Sequence, residues 1–256
     1  MANNGDAGTA QVVLAYCHNG KTEANFTECY AELRLVDSHH RRLIDPSKRP
    51  LIWKGLYPHY NRNVICKAFR DTRTEPWLMF LDTDMLFTVN QFYQLYDESV
   101  AAGPGVHAGL YYGIYSSEGG GREDSKVEAP HGAIDIRANW MKKVGDKVCW
   151  IPDRHLAVRD DLSGCGMGFT LIHRDVIMEL GNLMPKHNNA WFGHDEIYAP
   201  DLDLWDTKGE DTTFCDRVTA AGFKIFGHDS IALGHDKQII VTWEMADYEQ
   251  RRQQGL

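Results

Sequence analysis

Five apolar residues in succession, Trp77-Leu78-Met79-Phe80-Leu81, lie between Pro76 and Asp82. A strand with one wet face alternates apolar and polar residues, whereas a run without alternation is buried on both faces. Such a strand needs helices above and below it, which commits the chain to an α/β sheet. The same run ends on Asp82-Thr83-Asp84. Two carboxylates that close together repel, so either the strand end is solvated or a cation holds them.

The flanking segments support the alternation. Residues 10–20 predict a short buried strand ending in a turn, and 22–44 a helix with Phe26, Tyr30, Leu33, Val36 and His40 at helical spacing. Residues 50–53 predict a second strand, and 61–73 a helix with Val64, Ile65, Ala68 and Phe69 on one face. A helix over 89–103 and a strand over 106–115 complete a βαβαβαβ opening. That order predicts a mixed, mostly parallel sheet flanked by helices in a single domain over 11–237. Residues 1–10 read as a flexible N-terminus, 116–132 as an exposed glycine-rich loop, and 238–256 as a strand and helix tail. Farther along, 163–181 reads as a glycine-rich approach (Gly164, Gly166, Gly168) to a strand and a helix from 174. Glycine there permits close backbone approach to a ligand, or simply a bulge. Residues 211–221 predict a helix stopped by Gly222, followed by strands that end at His235.

Composition narrows the class. Among 256 residues, 43% are hydrophobic and 25% charged, as in ordinary globular proteins. No apolar run approaches a membrane span, and the first residues lack the pattern of a secretory signal. Six cysteines without a CxxC pair suit reduced thiols, so a cytoplasmic location is expected (host cytoplasm if phage-encoded). The formal charge of −9 argues against wholesale nucleic-acid binding. It is unevenly spread, however. Residues 39–73 carry nine Lys and Arg (Arg41, Arg42, Lys48, Arg49, Lys54, Arg62, Lys67, Arg70, Arg73) against Asp45 and Asp71. Residues 195–211 carry seven acids against Lys208. Either window could equally be a solvated face.

The placement of Asp82 and Asp84 favours a cation, because ligands of open α/β sheets bind beyond the carboxyl ends of the strands. Mg²⁺ or Mn²⁺ prefers oxygen ligands and completes its shell with phosphate oxygens. Here the sequence resembles a family. A buried strand ending in Asp-x-Asp, a later glycine-rich strand, Gly209-Glu210-Asp211 opening a helix and a terminal Gly234-His235 look like the GT-A (Rossmann-like) glycosyltransferases of the family-2 type. The resemblance spans about residues 11–237 and rests on the order of these motifs.

What the resemblance implies is a metal-dependent transfer of a sugar from a nucleoside-diphosphate sugar, a UDP-sugar first, to an acceptor hydroxyl with inversion. Asp84 and His235 would bind the metal, with Asp82 on the donor ribose or on a metal-bound water. Asp211, with Glu210 beside it, would be the general base. Arg62 and Asn63 match a donor-side Arg-Asn, where Arg62 neutralises the diphosphate or else pairs with an acid. Tyr16 would stack on the nucleobase, or else fill the core. Gly166 would bring the backbone close to the donor. Residues 191–198, with Trp191, would form part of an acceptor loop.

Each acid also has a plainer use, since carboxylates at a helix start are favoured by capping and the dipole. The family's aspartate after the second strand is missing from residues 51–61, which leaves the nucleobase open. The acceptor is expected to be a glycan or glycolipid, or a hydroxymethylated pyrimidine in DNA presented near Trp53, Tyr57, Tyr60 or Trp191. Rival readings are a sugar nucleotidyltransferase, which would need a glycine-rich loop that residues 15–24 lack, and a non-catalytic nucleotide-sugar-binding module. Oligomeric state is not legible.

Overall fold

A computed structural model describes residues 10–116, 134–144, 147–150, 158–184, 191–199, 204–236 and 240–241. In chain order the first half builds β1 (Val12–His18), α1 (Ala24–His39), β2 (Leu51–Lys54), α2 (Pro58–Thr72), β3 (Trp77–Leu81), β4 (Met85–Leu86), α3 (Val89–Ala102), β5 (Gly105–Leu110) and β6 (Tyr112–Ser116). Then come β7 (Ile134–Ala138), β8 (Trp140–Val144), β9 (Lys147–Trp150), β10 (Val158–Arg159), β11 (Gly164–Cys165), β12 (Phe169–His173) and α4 (Arg174–Leu183). The chain continues through β13 (Glu196–Ala199), β14 (Leu204–Thr207), α5 (Glu210–Ala220), β15 (Lys224–Ala232), β16 (Gly234–Asp236) and β17 (Ile240–Val241).

Seven strands form the central sheet in the order β10-β15-β5-β12-β3-β1-β2. β3 pairs with β1 and β1 with β2 in parallel, as does β15 with β5. The expected mixed, mostly parallel α/β sheet is therefore present. Two strands run against the rest: β10 lies antiparallel to β15, and β12, whose direction the helix–strand alternation did not locate, lies antiparallel between β3 and β5. The chain reaches it after the segment from β6 to β11, so it returns against the direction of its neighbours rather than through a helical crossover.

β3 is buried at all five positions. Its alternate residues feed two cores: Leu78 and Phe80 pack with Val13, Ile65 and Phe69, whereas Trp77, Met79 and Leu81 pack with Leu14, Phe26, Leu33 and Phe92. Burial on both faces follows from period-two geometry, and each large side chain contributes about 1.5–3 kcal/mol. Ala15 and Leu14 do the same from β1.

Local chemistry sets the helix ends. α1 stops at His39, short of the expected 44, because the buried Asp37 carboxylate accepts from the N–H groups of Leu43 and Ile44 at 3.2 and 2.8 Å. α2 starts at Pro58 rather than 61, since proline's fixed φ suits the first helical turn. Thr88 and Gln91 cap α3 reciprocally. The strand expected over 106–115 divides at Tyr111 into β5 and β6, which belong to different sheets. The tails at 1–9 and 242–256, and most of the glycine-rich loop, lie outside the described residues.

Candidate active site

The site forms beyond the carboxyl ends of β1, β2 and β3, where α2 and α5 present their first turns. Arg62, in α2, is 4% exposed. Its Nη2 donates to Asp82 Oδ1 at 3.0 Å, and its Nη1 to Glu210 Oε1 at 3.2 Å and Asp211 Oδ1 at 2.5 Å. The guanidinium also faces the Phe192 ring, 5.6 Å from its centroid. One cation thus gathers three carboxylates from β3 and α5, leaving the group two charges negative. Burial opposes the Arg62 charge, but Asp211 and Asp82 outweigh it and hold its pKa well above the ordinary value. It stays a cation.

Asp211 behaves differently from an ordinary helix-start acid. Its Oδ2 accepts the Met167 N–H at 3.3 Å while Oδ1 takes Arg62. Burial pushes its pKa up to about 7, with Arg62 pulling down and Glu210 and Asp82 pushing up. The 2.5 Å Arg62 contact taken alone would favour a low value; desolvation together with two neighbouring acids wins, because one guanidinium is divided among three partners.

Asp84 and His235 form a second unit beside the first. β16 pairs with β4 so that His235 stands opposite Met85, and the Asp236 N–H donates to the Asp84 carbonyl at 2.8 Å. His235 Nδ1 lies 2.8 Å from the Tyr112 carbonyl and Nε2 lies 3.3 Å from Asp84 Oδ2. A carbonyl only accepts, so Nδ1 carries the proton. In a neutral ring, Nε2 then points a lone pair at a carboxylate oxygen. Those two atoms repel at 3.3 Å unless a second proton or a cation lies between them. An imidazole held by a backbone carbonyl and aimed at a carboxylate fits a divalent ion. Among the described residues there is no cluster of three or more His, Cys, Asp or Glu side chains suited to a metal. A cation here would take two protein ligands and complete its shell with water or phosphate oxygens, which suits Mg²⁺ or Mn²⁺.

Other anticipated residues make contacts within the protein. Asn63 accepts from the Trp191 and Phe192 N–H groups at 3.2 and 3.1 Å and donates to the Phe192 and His59 carbonyls, pinning residues 191–192 to α2. Trp191 is buried, with its indole N–H on the Ile177 carbonyl at 2.8 Å. A Cβ on Gly166 would lie 2.2 Å from the Tyr111 hydroxyl, so the close approach that glycine allows here is to Tyr111. Tyr16 packs edge-on against Phe26 and Tyr30, 5.4 and 5.5 Å between centroids. Trp53 on β2, Tyr57 just before α2 and Tyr60 in its first turn are exposed.

The basic window does not stay free. Arg41 pairs with Asp97, Lys48 with Glu75, Lys67 and Arg70 with Asp71, and Arg62 with the site acids. In the acidic window Asp195 pairs with Arg217, and Asp201 and Asp203 lie outside the described residues. Sequence reasoning did not single out Met167, Tyr111, Tyr112, His59 or His194. Met167 and Tyr112 act through backbone groups, which have no residue signature.

No family model matches the chain, and no curated protein matches it. Among solved structures it is similar to A197 from STIV, with TM-score 0.48 and 15% identity over 92% of this chain and 91% of that one. It is also similar to GalNAc-T7 with UDP, GalNAc and Mn²⁺, with TM-score 0.48 and 12% identity over 88% of this chain and 43% of that one. A third is a glycosyltransferase involved in the glycosylation of the major capsid of PBCV-1, with TM-score 0.31 and 9% identity over 66% and 62%. These likenesses carry no residue equivalences.

Proposed function

We propose that the chain is a metal-dependent glycosyltransferase of the GT-A kind, moving a sugar from a nucleoside-diphosphate sugar to an acceptor hydroxyl with inversion. The observation that carries this is the convergence of Asp82, Glu210 and Asp211 on Arg62, next to the Asp84–His235 pair, at the carboxyl ends of parallel strands. Mn²⁺ or Mg²⁺ held by Asp84 and His235 would, when bound, neutralise charge on the leaving nucleoside diphosphate. Asp211 takes the proton from the acceptor hydroxyl as its oxygen bonds to the anomeric carbon and the bond from that carbon to the diphosphate breaks. A carboxylate with a pKa of about 7 is well matched to that step at neutral pH. Arg62 keeps Asp211 and Glu210 oriented by pairing with them, the second of the two uses expected of it. Asp82 contacts the donor ribose, and Tyr16 borders the nucleobase.

A hydroxyl on a glycan or glycolipid is the acceptor that best suits the surface. Five of the nine basic side chains between 39 and 73 are committed to acids of the protein, which weakens the case for a DNA phosphate track. Among the described residues no helix is long and apolar enough to cross a membrane.

The test is acceptor-free hydrolysis of UDP-, GDP-, CMP- and dTDP-sugars with Mn²⁺, alongside calorimetry of each nucleotide. Release from one donor, lost in Asp84→Ala, is the expected result. No hydrolysis and no Mn²⁺-dependent nucleotide binding would overturn the proposal.

A further inference from the structure

Two imidazoles that the mechanism above does not use bridge the helices that carry its charged groups. His59 sits in the first turn of α2, one helical turn before Arg62. His194 belongs to the 191–195 segment, and its Nδ1 lies 3.2 Å from the carbonyl of Lys208, two residues before Glu210. His194 Nε2 lies 3.1 Å from His59 Nδ1, with ring centroids 4.6 Å apart. Because the carbonyl only accepts, His194 carries its proton on Nδ1 and offers a lone pair at Nε2. His59 must then donate from Nδ1. The order is Lys208 carbonyl, His194, His59: a chain of hydrogen bonds running from the residues before α5 to the start of α2.

The segment that carries His194 is tied at other points too. Asn63 holds residues 191–192 on α2, Arg217 of α5 donates to the Trp191 carbonyl and to Asp195, and the Lys208 N–H donates to the Asp195 carbonyl at 2.8 Å. The segment 191–195 is a plate between α2 and α5, and the imidazole pair is one of its fastenings.

We propose that His59 and His194 are positioning residues whose hydrogen-bonded imidazole pair clamps the first turn of α2 to the residues that lead into α5, holding Arg62 in register with Glu210 and Asp211. The proposal deepens the glycosyltransferase assignment and rests on it for its catalytic readout. The contact joins two ring nitrogens, so one ring must donate and the other accept across 3.1 Å, and removing either imidazole opens it. The groups facing the pair are the Tyr57 ring, 5.9 Å from that of His59, the charge of Glu210, and the Lys208 carbonyl. Burial, then His194, depress the His59 pKa against the opposing pull of Glu210, in keeping with a ring held neutral.

The experiment compares wild type with His59→Ala and His59→Asn. The Asn side-chain N–H can replace His59 Nδ1–H. Two readouts are taken: deuterium exchange of residues 210–214, and kcat and KM of acceptor-free donor hydrolysis. We expect His59→Ala to speed exchange in the first turn of α5 and to lower kcat about tenfold with donor KM little changed, on the order of the loss that small misplacements cause. His59→Asn restores both. Unchanged exchange in His59→Ala, an Asn variant no better than Ala, or a loss in His59→Ala that falls on KM instead of kcat would overturn the clamp. Absence of any donor turnover in wild type would instead count against the glycosyltransferase reading, while the exchange data still decide the clamp.

Discussion

Asp211 joins a stability cost to a chemical use. Its pKa is raised to about 7 in the fold, from an ordinary carboxylate value in the unfolded chain. The folded state therefore binds the extra proton between about pH 4 and 7, so the stabilising effect is complete at acid pH and lost as pH rises through 7. At neutral pH the ionised carboxylate works against folding, because it adds a third negative charge around a single guanidinium. Asp211→Asn removes that charge and keeps an oxygen for Arg62 or Met167. We expect it to abolish sugar transfer, leave Mn²⁺-dependent nucleotide binding in place, and stabilise the protein by roughly 1–3 kcal/mol at pH 8. Urea unfolding beside calorimetry checks all three, and a variant less stable than wild type at pH 8 would show that the Arg62 contact outweighs desolvation. For the wild type, transfer rate should rise with pH through about 7.

Among the elements, the glycine-rich approach to β12 forms the floor of the site. Gly166 donates its N–H to the Asn139 carbonyl, Gly168 donates to the Tyr111 hydroxyl at 3.1 Å, and the Gly168 carbonyl takes the Asp82 N–H at 2.8 Å. Between these glycines Met167 offers its N–H to Asp211. The segment therefore links β3's carboxyl end, β6's approach and α5's first turn through backbone bonds. In Gly166→Ala the added methyl would meet the Tyr111 oxygen at 2.2 Å, and something must shift. A loss of about 1–3 kcal/mol is expected, the usual cost of overpacking. Tyr111→Phe removes the nearest atom, leaving ring carbon at 3.2 Å, so the double variant should recover part of that loss. Thermal unfolding of the two singles and the double gives the coupling, and strictly additive losses would refute the contact as the cause.

The elements also show what was readable in advance. β1, β3 and α3 lie within a few residues of where periodicity put them, because burial on two faces or one helical stripe is written in local spacing. The end of α1 was not readable, since it depends on where the Asp37 side chain turns. Nor was the antiparallel setting of β12, which is a relation between strands brought together from distant parts of the chain.

At the scale of the whole molecule, the sheet edge opposite the site is fastened by buried histidines. His107 Nε2 donates to the Gly103 carbonyl, leaving Nδ1 to accept from His228 Nε2 at 3.2 Å. His228 Nδ1 lies 2.6 Å from Glu98 Oε2, a contact completed by a second ring proton or a protonated carboxyl, and with it α3, β5 and β15 share one chain of hydrogen bonds. Burial, with His228 and His173 adding to it, drives the His107 pKa down to about 3, against the Gly103 bond. A neutral ring in the fold and an ordinary one in the unfolded chain mean stability that is complete above about pH 6.5 and erodes as pH falls toward 3. The His107 contribution to unfolding free energy should drop by about 1–3 kcal/mol between pH 7 and 5, against the gain from Asp211 over the same range, so in the Asp211→Asn background the drop is exposed and a further His107→Gln should flatten it. An unchanged slope in the variant would assign the acid sensitivity to other groups.

By itself the sequence determined the alternation of helices and buried strands, the two aspartates at the end of β3, and the acidic pair at the start of α5. All of these are matters of spacing along a few turns or pleats of backbone. Only the tertiary structure decided that one arginine serves three carboxylates, that a tyrosine carbonyl sets the tautomer of His235, and that Asn63 ties residues 191–192 to α2. Arg62 and Asp211 are 149 residues apart, and their meeting depends on the packing of α2 and α5 against the same sheet. The groups that tune the site are largely backbone carbonyls and N–H groups, which every residue carries. Their positions follow from the fold, and no letter in the chain records them.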